Sequence, residues 1–133
     1  MTRQPRIGVD DLERAVAFYR DGMGWPTQGI VGPQFEHGAV AFFELDTGLR
    51  LALWPRSSLA TDAGLPLQAR SATDMCIAHN VSSPAEVDAV MQKATRAGAG
   101  ILKSAQHTFW GGYAGYFQDP DGHRWEVVFS PGA

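Results

Sequence analysis

Apolar and polar positions along this chain repeat with two periods, and the order of those periods occurs twice. Leu12, Ala15, Val16 and Tyr19 recur at helical spacing, after a short strand ending near Val9. Asp11 stands where an N-cap belongs, and Gly22 and Gly24 close the helix. Residues 39–45 are rich in strand formers and predict a strand. Asp46-Thr47-Gly48 then reads as a hairpin turn, and residues 49–54 as the returning strand. Residues 55–73 hold Pro55, Pro66 and scattered Ser and Thr with no clear period. They predict a connection between modules that could hold a turn of helix.

The second half repeats this plan. A strand is expected over residues 75–81. Ser83 is placed as N-cap of the next helix, with Pro84 at its first position and Glu86 in its first turn. Val87, Val90, Met91 and Ala94 make its apolar face, and Gly98 stops it. Further strands follow over residues 100–103, 112–117 and 124–129, with a tight turn at Asp119-Pro120-Asp121-Gly122. Val9 and Val81 lie 72 residues apart, Gly48 and Gly122 lie 74 apart. Each half therefore reads strand–helix–strand–strand–strand, a unit that leaves one sheet face open. The expected fold class is α+β, two paired βαβββ modules, with residues 1–54 as the first, 55–73 as the connection and 74–133 as the second.

The two copies differ at one telling place. With Gly48 on Gly122, Arg50 falls on Arg124, but Ala52 falls on Glu126. A carboxylate present in the second module is absent from the first.

Composition narrows the function classes. Hydrophobic residues are 44% and charged residues 19%, ordinary for a globular domain. The net charge is -3 with no basic stripe, which argues against nucleic acid as a partner. Cys76 stands alone, so no disulfide closes within the chain. The first residues lack the apolar core of a secretory signal, and no apolar run approaches the roughly 18–20 residues of a membrane span. The expected setting is cytoplasmic, away from membranes.

Two stretches carry a family resemblance. Asp10-Asp11-Leu12-Glu13-Arg14-Ala15-Val16-Ala17-Phe18-Tyr19 resembles the first helix of the vicinal oxygen chelate superfamily, which includes glyoxalase I, bleomycin-resistance proteins and extradiol dioxygenases. Gly115-Tyr116-Phe117-Gln118-Asp119-Pro120-Asp121-Gly122-His123-Arg124-Trp125-Glu126 resembles its C-terminal hairpin. The resemblance implies sheets curled around a central cleft, and many members are homodimers. It also implies four inward metal-ligand positions, on the first and last strands of each module. In this chain those fall on Gln4, Ala52, Cys76 and Glu126.

That set is poor in donors. Zn, Ni, Fe or Mn would want several His or carboxylate groups converging from different strands. Here Ala52 offers nothing, Gln4 is weak and Cys76 is a thiol. The expectation is therefore no cofactor, with a divalent metal at Glu126, Gln4 and Cys76 as the alternative. Glu126 has further readings. It could be a general base beside a carbonyl, a partner for Arg50 or Arg124, or a purely structural carboxylate. Alternation places His79 with Ile77 and Val81 on the helix-packed side. His123 supports its hairpin turn or the dimer edge, while His37 and His107 sit in or beside loops near the cleft rims. Cys76 reads as a small buried hydrophobe.

The aromatic residues suggest a pocket. Phe109-Trp110-Gly111-Gly112-Tyr113 sets rings beside glycines that let backbone approach a ligand. Trp54 lies two residues past Ala52 on the same face. Trp54, Trp110, Tyr113 and Tyr116, with Arg50 and Arg124, are the candidate ligand-binding residues. The alternative is that these rings only fill a core or a dimer interface. Phe42, Phe43, Phe117, Trp125 and Phe129 read as strand packing. The leading functional expectation is a protein that holds a small, partly aromatic molecule without an intact metal site. The alternatives are a lyase, isomerase or dioxygenase using Glu126, and an interaction module with a vestigial pocket.

Overall fold

The computed structural model describes residues 3–46, 48–70 and 75–132. Thr47, in the expected first hairpin turn, lies outside the described residues. The chain divides into two compact units, one ending at Ala69 and one beginning at Arg70. Each is a βαβββ module, so the α+β reading holds.

Module one runs β1 (Arg6–Val9), α1 (Leu12–Val16), β2 (Thr27–Val31), β3 (Val40–Asp46) and β4 (Leu49–Pro55). Its sheet order is β1-β4-β3-β2, with β1 parallel to β4 and the other pairs antiparallel. Asp11 caps α1, its Oδ1 accepting from the Arg14 N–H at 3.1 Å. The helix then widens into a π-helical stretch, Ala17–Gly22, in which the Met23 N–H donates to Phe18 O at 2.9 Å. Phe18 and Tyr19 both enter the core there, and Tyr19 stacks on Trp25 at 5.3 Å and meets Phe43 edge-on at 5.9 Å. Inside the stretch read as a connection, α2 (Arg56–Ala63) forms and packs on β1 and β4. The hydroxyl of its buried Ser58 lies 3.0 Å from His37 Nδ1.

Module two runs β5 (Ile77–Asn80), α3 (Pro84–Arg96), β6 (Gly100–His107), β7 (Tyr113–Gln118) and β8 (Arg124–Phe129). The sheet order, β5-β8-β7-β6, repeats that of module one. Ser83 caps α3, accepting from the Glu86 N–H at 3.1 Å, while the Glu86 carboxylate accepts from the Ser82 N–H at 2.9 Å. Val87, Met91 and Ala94 are buried against the sheet. Strand alternation puts Ile77, His79, Phe117, Trp125 and Val127 on that helix-packed side. Burial there pushes the His79 imidazole down from its ordinary pKa, against a smaller upward pull from Glu86. The neutral ring is what the core accepts.

In each module the helix covers one sheet face. The even-numbered side chains of β4 and β8 stand on the other, and those faces carry Arg50, Trp54, Arg124 and Glu126 of the candidate residues.

Candidate functional site

Strand register fixes what shares each open face. In module two, Ala78, Glu126 and Tyr116 lie in one row across β5, β8 and β7. In module one the equivalent row is Arg6, Ala52 and Phe42. Ala52 and Glu126 thus occupy equivalent places, as do Phe42 and Tyr116. The next row pairs Arg50 with Glu44 and, in module two, Arg124 with Gln118.

On the module-two face, Glu126 stands among Tyr116, Cys76 and Arg124. The Tyr116 hydroxyl is held above its ordinary pKa, first by partial burial, then by the Glu126 charge and a hydrogen bond to that carboxylate. Cys76 corrects the sequence expectation of a buried hydrophobe. It is exposed, because β5 begins only at Ile77 and leaves Cys76 at the open strand end. Desolvation still pushes its thiol up, opposed by a hydrogen bond from the Glu126 backbone. Arg124 turns back to its own hairpin, donating to Gly122 O at 2.8 Å.

Gln4 continues the module-one row pattern. The Arg50 N–H donates to Arg3 O at 2.8 Å and the Ala52 N–H to Pro5 O at 2.9 Å, which sets Gln4 beside Arg50. Gln4 is exposed, and Ala52, fully buried, has no donor atom. Among the described residues no group of three or more His, Cys, Asp or Glu could hold a metal ion. The donor set does not fit the group the family would hold.

The candidate aromatic residues do not form one pocket. Tyr113 is odd-numbered and falls on the helix side of β7, where its hydroxyl donates to Asp88 of α3 at 2.8 Å. That carboxylate raises the phenol's pKa. His107 packs against the same ring at 4.9 Å. Trp110 lies over Gly112, where a Cβ would come within 2.1 Å of its ring, so its place depends on that glycine. Trp54 stays on the module-one open face. The Arg6 guanidinium covers its ring at 4.8 Å and bonds to Asp62 at 3.2 Å. Trp54 Nε1 is buried without a hydrogen-bond partner. Trp54→Phe removes this orphaned donor while keeping a ring under Arg6. Its unfolding free energy is expected to stay within about 1 kcal/mol of wild type. A larger loss in urea denaturation would show that the indole N–H is satisfied.

The cavity of module one has a lining that strand alternation alone does not reveal. It measures about 510 Å³ and is lined by Pro26, Thr27, Gln28, Gly29, Val31, Phe42, Glu44 and Arg50. A register shift between Thr27 and Ile30 bends β2 away from β3 and opens it. Gly29 takes φ +88 at this bulge, a conformation other residues reach only with strain. Thr27 pins the bend, its hydroxyl donating to Phe42 O at 2.6 Å and accepting from the Gly29 N–H at 3.1 Å. Arg50 lies over the Phe42 ring at 5.2 Å, and its Nε donates to Glu44 Oε1 at 2.5 Å. Of the sequence candidates only Arg50 lines this cavity. Phe42 could have been found by counting back across the hairpin from Ala52.

The comparisons agree with this architecture. The description Glyoxalase/Bleomycin resistance protein/Dioxygenase superfamily matches residues 3–127. A glyoxalase-related enzyme from Fulvimarina pelagi is 34% identical, with 98% of this chain and 88% of that one covered at a TM-score of 0.83. A glyoxalase/bleomycin resistance protein/dioxygenase from Nocardioides is 25% identical, with 100% and 85% covered and a TM-score of 0.75. A lactoylglutathione lyase from Agrobacterium tumefaciens shares the fold at 22% identity, with 98% and 93% covered and a TM-score of 0.71. No sequence among the curated proteins matches the chain. No helix among the described residues is long and apolar enough to cross a membrane.

Proposed function

Because this chain belongs to the glyoxalase/bleomycin resistance protein/dioxygenase superfamily, we propose that it binds a small, partly aromatic molecule on the open face of module one, without the metal of its metal-dependent relatives. The observation that carries this reading is the cavity of about 510 Å³ beside Phe42. Its size suits a small-molecule site, and its apolar wall with a few convergent polar groups is the usual composition of one. Ala52, where module two has Glu126, offers no donor at that strand position, and beside Phe42 it favours a flat, partly apolar guest.

Calorimetric titration with indole tests the reading. Wild type is expected to bind. Phe42→Leu, which keeps volume but loses the ring, is expected to bind about three- to tenfold more weakly. An unchanged affinity would move the site away from Phe42.

A second reading draws on a separate observation, the gathering of Tyr116 and Cys76 around Glu126. Under it the protein is a glyoxalase-like lyase or isomerase, or a dioxygenase, with Glu126 as base or ligand. The two readings part on metal. The first expects none to co-purify, and the second, with Glu126 as a ligand, expects about one equivalent.

A further inference from the structure

The module-one cavity holds an ion pair whose two ends are each half used. Arg50 gives only Nε to Glu44 Oε1, and neither of its terminal nitrogens meets an acceptor among the described residues. Glu44 engages one carboxylate oxygen, and its Oε2 has no partner among the same residues. Both side chains line the cavity. The guanidinium carbon lies 5.2 Å from the centroid of the Phe42 ring, and the two terminal nitrogens present a planar fork.

The net charge of this lining is zero, which bears on what fits. A bare carboxylate on the Arg50 fork would approach the Glu44 charge uncompensated. A bare ammonium on Glu44 would face Arg50 in the same way. A molecule carrying both charges on neighbouring atoms meets each with its opposite, and the four charges alternate around a closed ring. Beside the polar Thr27 and Gln28, the lining has an apolar part, Phe42, Val31 and Pro26, that asks for an apolar substituent.

We propose that this cavity takes the zwitterion of an α-amino acid with an aromatic or large apolar side chain. Its carboxylate sits on the terminal nitrogens of Arg50, its ammonium on Glu44 Oε2, and its side chain against Phe42 and Val31. This rests on the small-molecule reading above and names its ligand class. The resting ion pair then has a role of its own. It holds both groups in the geometry the ligand needs, which lowers the ordering cost of binding.

The test is calorimetric titration of wild type, Glu44→Gln and Arg50→Gln with L-phenylalanine, 3-phenylpropionate, phenethylamine and indole. Both substitutions are at exposed side chains, so folding is retained. Wild type is expected to bind phenylalanine about tenfold more tightly than either single-charge analogue. In Glu44→Gln the preference passes to 3-phenylpropionate, and in Arg50→Gln to phenethylamine. Either analogue matching phenylalanine on wild type overturns the proposal. Indole binding with no gain for phenylalanine overturns it too, but leaves the aromatic-ligand reading standing. If none of the four binds, both fail.

Discussion

Trp125→Ala is expected to lower the unfolding free energy by about 3–5 kcal/mol. Trp125 is 1% exposed and stacks on Phe117 at 6.3 Å with ring planes 8° apart. It stands in a row with Ile77 and Phe117 on the sheet face that α3 covers with Val87, Met91 and Ala94. A module of this size has one small core, and the indole is among its largest parts. Alanine leaves a cavity that these neighbours, fixed by strand pairing on one side and a helix on the other, can fill only in part. Urea denaturation followed by circular dichroism measures the loss as a lower midpoint. Trp110→Ala is the internal comparison: that ring is 45% exposed and should cost much less. Equal losses at the two positions would contradict the packing described for module two.

The second large effect is expected at Asp119. Its carboxylate is buried and accepts from two backbone N–H groups, those of Asp121 at 2.9 Å and His123 at 2.8 Å. The hairpin between β7 and β8 closes around it, with the Asp119 N–H donating to His123 O at 2.9 Å and the Gly122 N–H to Asp119 O at 3.0 Å. Asp119→Ala removes both charge-assisted bonds and strands their donors. The expected cost is about 2–4 kcal/mol. Asp119→Asn keeps a neutral acceptor and should recover about half of it. Amide exchange at Asp121 and His123 reads the change locally. Protection unaltered in Asp119→Ala would mean that the turn is held by something else. The turn also feeds β8, which carries Glu126, so its loosening reaches the module-two face.

Much of this architecture was legible because local and long-range signals agree. Asp11 and Ser83 announce their helices by capping chemistry, and both caps form as expected. The strand expected over residues 124–129 matches β8 to the residue. The repeat that sets Ala52 against Glu126 is reproduced by strand register. What escaped had contrary local signals. β2 is short, with a polar residue and a glycine at its centre, and it is held by its pairing with β3 rather than by pattern. α2 has no apolar face to betray it, and its contacts are with β1, β4 and the His37 side chain. β6 extends past Lys103 to His107 because β7 pairs with it through two register shifts.

The site was less legible than the fold. Tyr113 and Tyr116 are three residues apart in one strand, so alternation already separates them. A list of aromatic residues hides this. Phe42 read as packing because nothing in its own neighbourhood says that β2 bulges away at Gly29. The cavity arises from a distant backbone event, and sequence pattern records only its ingredients.

Metal content tests the central claim most directly. Untagged protein, purified without chelators, would be analysed by elemental mass spectrometry beside Glu126→Ala. The account predicts no stoichiometric transition metal in either, because Ala52 offers no donor and Gln4 offers only a weak neutral one. About one equivalent in wild type, lost in Glu126→Ala, would contradict it and make the Glu126 face of module two a metal centre.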